Sequence, residues 1–535
     1  AVFDTGHIPH GCANAIYLPY VIQYNAKVCE DRFAMIARKL GLPGVTDKAL
    51  TLSLIKAVED LRTSLHIVSN LKEFGVKEDE FLEKKHMIAE RAVGDACTGS
   101  NPRETSVEDM EKILEGEAYF TAEEGYVLNR GTDIFSDNIG CNVVKESSCV
   151  TLKELERYRF VWDKTMFDEI TGKQDISFWQ GPYTRIKGCN VVLDYIDDME
   201  GDKAKREHLQ GEAYTLRGFY YLMLVNFFGM PYNYGNPAEN PGVPLRVASG
   251  VTDERASRAS VAACYERIIR DLSRGAELLE ANKEEQSLKL TRINYLAAYA
   301  LLSRAYLYME DWDNAFKYAD LVLRDKSDLL DLRSALSGGV YNTATPAEIL
   351  WVGSEKNPNS ASNYKCPYTV SRDLSSLYLR DADGITDVRG DYNCVDDYMS
   401  ATIAPVFLKR GRVWETSAYE YWVYDVVKGN VVNQEWYTGG VRTAEVYLNR
   451  AEVSARRYIE SGNSADAELA LKDLNDLRRS RFEEGYVDKQ LADFANGQEL
   501  LDFCLRERRR ELCMEGNHRW FDLRRYAVSS KYPEK

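Results

Sequence analysis

The chain has 535 residues, 84 acidic against 68 basic side chains, a formal net charge of −16 and 44% hydrophobic residues. That apolar share is enough for folded cores, and the negative balance disfavours non-specific binding to nucleic acid or anionic lipid, which are themselves negative. No run of 18 apolar residues occurs, so no segment reads as a membrane-spanning helix.

The opening "AVFDTGHIPH" has neither the charged n-region nor the apolar h-region of a signal peptide. Helical periodicity follows in 49–74, 208–229, 261–281, 293–309, 313–325, 442–459 and 465–479, with apolar residues at three- and four-residue intervals. Ser260 stands where an N-cap belongs, and Gly229 with Pro231 stops the helix before it. Two stretches, 301–323 and 447–474, each read as helix, turn and helix. In them Ala305 and Ala315, and Ala451 and Ala467, fall where the helices cross. Small residues at crossings are the logic of tetratricopeptide-like hairpins. The expected fold is mainly α: a scaffold of such hairpins with an irregular, loop-rich part carrying short β-strands. It is expected as one domain over 1–535. Its parts would be N-terminal helices (1–95), a variable loop region (96–150), a helical core (151–330), variable ligand-binding loops and short strands (331–440), and a C-terminal hairpin with a closing segment (441–535).

Eleven cysteines are scattered without a C-x-x-C pair, which argues against zinc. Cys141 and Cys149 are close enough to be bridged if their loop folds back, whereas Cys264, Cys504 and Cys513 sit in helical patterns and read as buried thiols. Six histidines form no H-E-x-x-H, and no G-x-S-x-G, P-loop or G-x-G-x-x-G is present. The reading is therefore non-catalytic, with no cofactor. The acidic run 380–397 is a candidate for structural calcium but departs from EF-hand spacing.

The aromatic residues carry the binding signal. Tyrosine outnumbers phenylalanine 34 to 18, and an amphipathic ring suits ligands with apolar faces and polar rims. Loops on a rigid base are where binding concentrates. The candidate ligand-binding residues are Trp351, Asn357, Asn359, Tyr364, Tyr368, Trp414, Trp422, Trp436 and Tyr437, with Tyr119 and Tyr126 from the earlier loop region. The stretch "RERRRELCMEGNHRWFDLRRY" (506–526) reads instead as an internal lock. Glu507, Glu511 and Glu515 recur every four residues, Arg508 falls on the apolar face, and Arg519 and Asp522 offer a further pair. Gly516 is expected to stop that helix. Arg508→Ala is expected to lower folding stability and leave ligand affinity of the folded fraction unchanged, as denaturation and titration would show.

In order along the chain, "ISFWQGPYTRIKGCNVVLDYI", "GEAYTLRGFYYLMLVNFFGMP", "VPL" at 243–245, the hairpins above and the 506–526 tail resemble the SusD/RagB family of outer-membrane nutrient-binding lipoproteins. The resemblance runs from about 178 to 526, and "VGDACTG" stands where the family has an early Ser-Asp. It implies a lipid-anchored protein at the cell surface, the anchor lying outside this sequence, that acts as the lid of a TonB-dependent SusC-like outer-membrane barrel and passes it oligosaccharide. A peptide ligand, and a tetratricopeptide-type adaptor role, are the alternatives.

Overall fold

The computed structural model describes residues 2–3, 6–7, 10–68, 111, 119, 135–141, 157–158, 160–163, 178–250, 256–333, 346–353, 368–380, 384–396, 405–407, 412–417, 420–425, 440–513 and 515–529. For 368–370, 391–396, 405–407, 412–417 and 420–425 only backbone is described. Where the sequence suggested one domain, the chain forms two compact units: Ala1–Glu117 with Asp194–Asp202, and Ala118–Leu193 with Lys203–Lys535.

In the first unit, α1 (His10–Lys39) and α2 (Asp47–Ser64) pair as a hairpin. They share a core of Ile22, Ala34, Ala37, Leu50 and Leu54, which is why this part forms a unit of its own. Helix α1 is interrupted at Cys29, where φ is −144° and ψ 42°. The Thr46 hydroxyl caps α2 by accepting from Ala49 N. The helix expected over 49–74 stops at Ser64, and His66 takes a positive φ of 58° two residues later. Periodicity continued past the point where the backbone turned.

The second unit is built on α3 (Gln180–Tyr195), α4 (Lys203–Phe228) and α5 (Val261–Ala281). Ser260 caps α5 as expected, accepting from Ala263 N. Helices α4 and α5 touch through glycine: a Cβ on Gly275 would lie 2.2 Å from Thr215 Oγ1 and 2.9 Å from Gly211 O. Buried Arg217 then ties the layer together, its Nε and Nη2 donating to Asp271 of α5 at 2.7 and 2.8 Å and its Nη1 to Asn190 Oδ1 of α3 at 2.8 Å. Overpacking a tight core costs about 1–3 kcal/mol. Gly275→Val is therefore expected to lower the free energy of unfolding, measured by urea denaturation, by at least that much. Gly250→Ala, with nothing within 4 Å of its Cβ, should leave it in place.

Two helical hairpins follow, α6 (Tyr295–Met309) with α7 (Trp312–Asp325) and α10 (Thr443–Ser461) with α11 (Ser464–Arg479). Ala305, Ala315, Ala451 and Ala467 are all fully buried, at the crossings their spacing predicted. Gly462, at φ 70°, ends α10. Between the hairpins lie α8 (Arg372–Arg380), α9 (Val388–Asn393) and seven short strands from β4 (Ile349–Val352) to β10 (Gly440–Arg442). Strands β4 and β10 pair antiparallel, while β5 (Tyr368–Val370) pairs with β3 (Ile139–Cys141). Strands β8 (Arg412–Ser417) and β9 (Glu420–Asp425) form an antiparallel hairpin within the region expected to carry short strands. The chain closes with α12 (Gly497–Leu512) and α13 (His518–Val528). Helix α12 ends four residues before Gly516, with Cys513 as its C-cap.

Candidate functional site

The 506–526 arginines do not pair mainly along their own helix. Of the expected intrahelical pairs, Arg510 to Glu507 at 2.6 Å is present, but the other acids reach outward. Glu511 receives Arg442 Nη1 at 2.6 Å, Arg389 Nη1 at 2.9 Å, and Arg481 Nη2 and Nε at 3.0 and 3.1 Å. Glu515 receives Arg442 Nε at 2.8 Å, and Glu507 receives Arg478 Nη1 at 2.6 Å. Glu348, just before β4, accepts from Arg442 and Arg481 at 2.8 Å each, and Asp387 accepts from Arg389. All ten side chains are buried. Among the described residues, five arginines (389, 442, 478, 481, 510) face five carboxylates (Asp387, Glu348, Glu507, Glu511, Glu515), equal numbers of each sign. Asp387 belongs to the acidic run 380–397 considered for calcium; here its carboxylate is taken by Arg389.

Two arginines of the tail, buried Arg509 and partly buried Arg519, hold acidic groups that reach the surface. Arg519 grips Asp137 bidentately at 2.7 and 2.6 Å. Arg509 donates to Asn138 Oδ1 at 3.0 Å, Asp137 O at 3.0 Å and Asp373 Oδ2 at 2.5 Å. Ser371 adds hydrogen bonds to Asp137 O and Asn138 O. These bonds fix the turn before β3, which carries Phe135. Phe135, Trp162 and Trp520 then form an aromatic trio. Trp162 lies 4.7 Å from Trp520 and 6.4 Å from Phe135, and Phe135 lies 5.5 Å from Trp520 (centroids). Phe135 is buried, Trp520 half-buried, and Trp162 57% exposed. Trp162 also sits at φ 57°, a left-handed conformation that a bulky side chain adopts at a cost on the order of 1–3 kcal/mol. Asp137 and Asp373 carboxylates, 41% and 62% exposed, stand beside the trio's supports. An exposed indole with carboxylates nearby can stack on the apolar face of an amphipathic ligand while the carboxylates accept from its hydroxyls.

Burial pushes the Asp137 carboxyl up, but the Arg519 hydrogen bonds and the charges of Arg519 and Arg509 outweigh it and hold it below the usual carboxylate range. A depressed folded-state value contributes stability that is present above the unfolded value, about 3.9, and lost as pH falls through the folded one. The clasp is thus expected to be unchanged from pH 8 to 5 and to open only below about pH 4. Trp fluorescence of this trio against pH would follow it, and a transition near pH 6 would contradict it.

The residues expected to bind divide sharply. Trp351 is fully buried: its Nε1 donates to Thr291 O at 3.0 Å and its ring meets Phe219 edge-on at 5.2 Å. Tyr119 is buried, donating to Glu212 Oε2 at 2.5 Å and accepting from Ile293 N at 3.0 Å. Both are core residues with no face for a ligand, a correction to the sequence reading. Tyr126, Asn357, Asn359, Tyr364, Trp436 and Tyr437 lie outside the described residues, as does Cys149. Tyr368, Trp414 and Trp422 lie on strands β5, β8 and β9 with backbone alone described. Trp162 was missed; its signal is conformational and leaves no trace in composition. Of the lock residues, Arg508 Nε donates to Asp522 Oδ2 at 2.7 Å, Glu507, Glu511 and Glu515 sit in the buried network, and Arg519 holds Asp137.

Residues 95–307 match a SusD-like family model described as "Starch-binding associating with outer membrane", and residues 408–535 match the SusD family. From residue 95 on, the chain belongs to the SusD/RagB family. Solved SusD relatives share the fold. A SusD-like carbohydrate binding protein from Bacteroides vulgatus aligns at 22% identity and TM-score 0.54, over 77% of this chain and 82% of that one. A SusD superfamily protein from Bacteroides thetaiotaomicron aligns at 20% identity and TM-score 0.56, over 78% and 89%.

The N-terminus is different. Residues 3–118 match the C-terminal part of the Fe-containing alcohol dehydrogenase family, and that match ends where the first compact unit ends, at Glu117. A NADPH-dependent butanol dehydrogenase from Clostridium saccharobutylicum is 52% identical over 115 residues, 22% of this chain and 30% of that protein. Lactaldehyde reductase from Escherichia coli is 35% identical over 107 residues, 20% of this chain and 27% of that protein. The chain therefore spans less than a third of these relatives' length. The expected SusD-type N-terminal helices over 1–95 are matched instead by dehydrogenase sequence, and "VGDACTG" lies at the overlap of the two matches. Among the described residues no group of three His, Cys, Asp or Glu converges to hold a metal. The residues described in this unit do not assemble an iron site.

Proposed function

We propose that the SusD part of the chain is a non-catalytic glycan-binding protein of the outer-membrane surface, lipid-anchored, acting as the lid of a TonB-dependent SusC-like transporter. The observation that carries this reading is Trp162, 57% exposed in a strained left-handed backbone 4.7 Å from Trp520. Strain held in place by surrounding structure collects at working sites, and a fixed indole suits the C–H face of a sugar ring. The match to a family model described as starch-binding, and the carbohydrate-binding neighbour from Bacteroides vulgatus, support a glycan over other amphipathic ligands.

Isothermal titration of the protein against oligosaccharide and peptide panels tests the proposal. Heat with at least one oligosaccharide class, lost in Trp162→Ala, is the expected result. Heat with peptides alone would move the ligand to the peptide class, and release of reducing sugar by pure protein would overturn the non-catalytic reading.

A further inference from the structure

Four half-buried tyrosines form a ladder on the α6–α7 hairpin: Tyr295, Tyr299 and Tyr306 of α6, and Tyr318 of α7. Ring centroids stand 6.1 Å apart for Tyr295 and Tyr299, 5.7 Å for Tyr299 and Tyr318, and 5.7 Å for Tyr306 and Tyr318. The sequence arranges this. Buried Ala305 and Ala315 let the two helices approach, and Tyr306 and Tyr318 follow them on the same hairpin. The Ser303 hydroxyl donates to Ala315 O at 2.9 Å and fixes how one helix sits along the other.

The rungs are not alike. Tyr295 donates its O–H to Asp325 Oδ2 at 3.1 Å and Tyr299 to Glu280 Oε2 at 2.7 Å, and their two rings stand at 89°. Tyr306 and Tyr318 lie 3° from parallel, an offset stack, and neither hydroxyl has a hydrogen-bond partner among the described residues. Burial pushes the Tyr306 hydroxyl up to about 12, so this ring reacts as the neutral phenol. Tyr232 and Tyr265 also touch, but at 69°, and Tyr265 is 1% exposed with its oxygen accepting from Asn226 Nδ2 at 3.2 Å. Tyr306 and Tyr318 thus combine parallel rings, access and free hydroxyls. Two reacting groups held side by side react as one molecule, which favours their coupling over collisions between proteins.

We propose that Tyr306 and Tyr318 are an oxidative modification site, joined ring carbon to ring carbon as a dityrosine staple when hydrogen peroxide acts through a haem peroxidase. Each phenol gives up one electron and one proton and becomes a tyrosyl radical. The two radicals pair through the carbons ortho to oxygen, and each ring then moves its ortho hydrogen back to its oxygen. The two electrons and two protons released reduce one hydrogen peroxide, breaking its O–O bond and giving two waters. The staple ties α6 to α7 beyond the reach of thiol reductants. As a cross-link it restrains the unfolded chain, so the stapled protein unfolds at a higher temperature.

The test treats dilute full-length protein with a haem peroxidase and hydrogen peroxide, isolates the monomer, reduces it and digests it with trypsin. Cleavage after Arg304, Lys317 and Arg324 isolates the two tyrosines in peptides 305–317 and 318–324. Mass spectrometry should find these two joined, or the uncut 305–324, lighter by two hydrogens and carrying dityrosine fluorescence, with fragmentation placing the bond on Tyr306 and Tyr318. Tyr306→Phe and Tyr318→Phe, each removing one unpartnered hydroxyl and keeping its ring, should fold as the parent does and lose this product. Tyr299→Phe should keep it. Dityrosine found only in dimers, found on other peptides of the monomer, or undiminished in Tyr306→Phe would overturn the proposal, as would a monomer that yields none.

Discussion

Glu511→Gln is expected to destabilise the SusD unit by about 3–5 kcal/mol, the range for removing one partner of a buried ion pair. The substitution keeps shape and volume, so the loss reports charge. In the native protein the Glu511 carboxylate takes four hydrogen bonds from Arg389, Arg442 and Arg481. The amide would leave five buried arginines against four carboxylates, and its own N–H₂ would be turned toward guanidinium donors that cannot accept. The coupling is wide: through these arginines Glu511 joins α9, β10 and the end of α11 to α12. The measurement is denaturant unfolding of the variant against the parent, with glycan affinity of the folded fraction titrated in parallel. A loss under 1 kcal/mol would show that the network tolerates an uncompensated charge. A loss of affinity with stability intact would place Glu511 in the binding machinery.

Trp162→Gly should separate binding from folding in the opposite sense. The ring is 57% exposed and its φ is 57°, a conformation glycine takes without strain. Removing an aromatic anchor at a binding site costs about 2 kcal/mol or more, roughly thirtyfold in Kd. Lost contacts with Phe135 and Trp520 and added chain entropy are offset by relieved backbone strain, so stability is expected to stay within about 1 kcal/mol of the parent. Titration calorimetry and urea unfolding on the same preparation would show a large change in the first and a small one in the second. Equal loss of both would make Trp162 a structural residue.

Periodicity was a good guide where helices are long and half-buried. Ser260 as a cap, the alanine crossings and the two hairpins were legible because each rests on spacing within some twenty residues. Legibility failed where the decisive fact lies in another part of the chain. Trp351 looked like a ligand platform because it stands in an aromatic, loop-rich region, but β4 carries it under Phe219, more than a hundred residues earlier. The outward reach of Glu511 and Glu515 was equally invisible: an i, i+4 stripe predicts partners along the helix, and the partners come from three other elements. The N-terminal hairpin has ordinary amphipathic helices, and nothing in their periodicity distinguishes dehydrogenase sequence from a SusD scaffold; that needed comparison with known proteins. Trp162 escaped because no pattern of residue types encodes a positive φ at a tryptophan.

The β4–β10 pair has a further consequence. A Cβ on Gly440 would come within 1.9 Å of Trp351 O, so two chain segments meet at this point nearly backbone to backbone, and Arg442 and Glu348 lock them to α12 directly behind. The described residues that lie between these two ends are themselves tied to the scaffold: Arg389 donates to Glu511, Asp373 accepts from Arg509, and the Tyr378 hydroxyl donates to Arg510 O at 3.2 Å. Closing a loop costs free energy that grows only as the logarithm of its length, about 0.6 kcal/mol for each doubling. Length is therefore the cheap variable in this part of the chain and anchorage the expensive one: an insertion that spares Asp373, Tyr378, Asp387 and Arg389 costs little, and a replacement that removes them unseats α12.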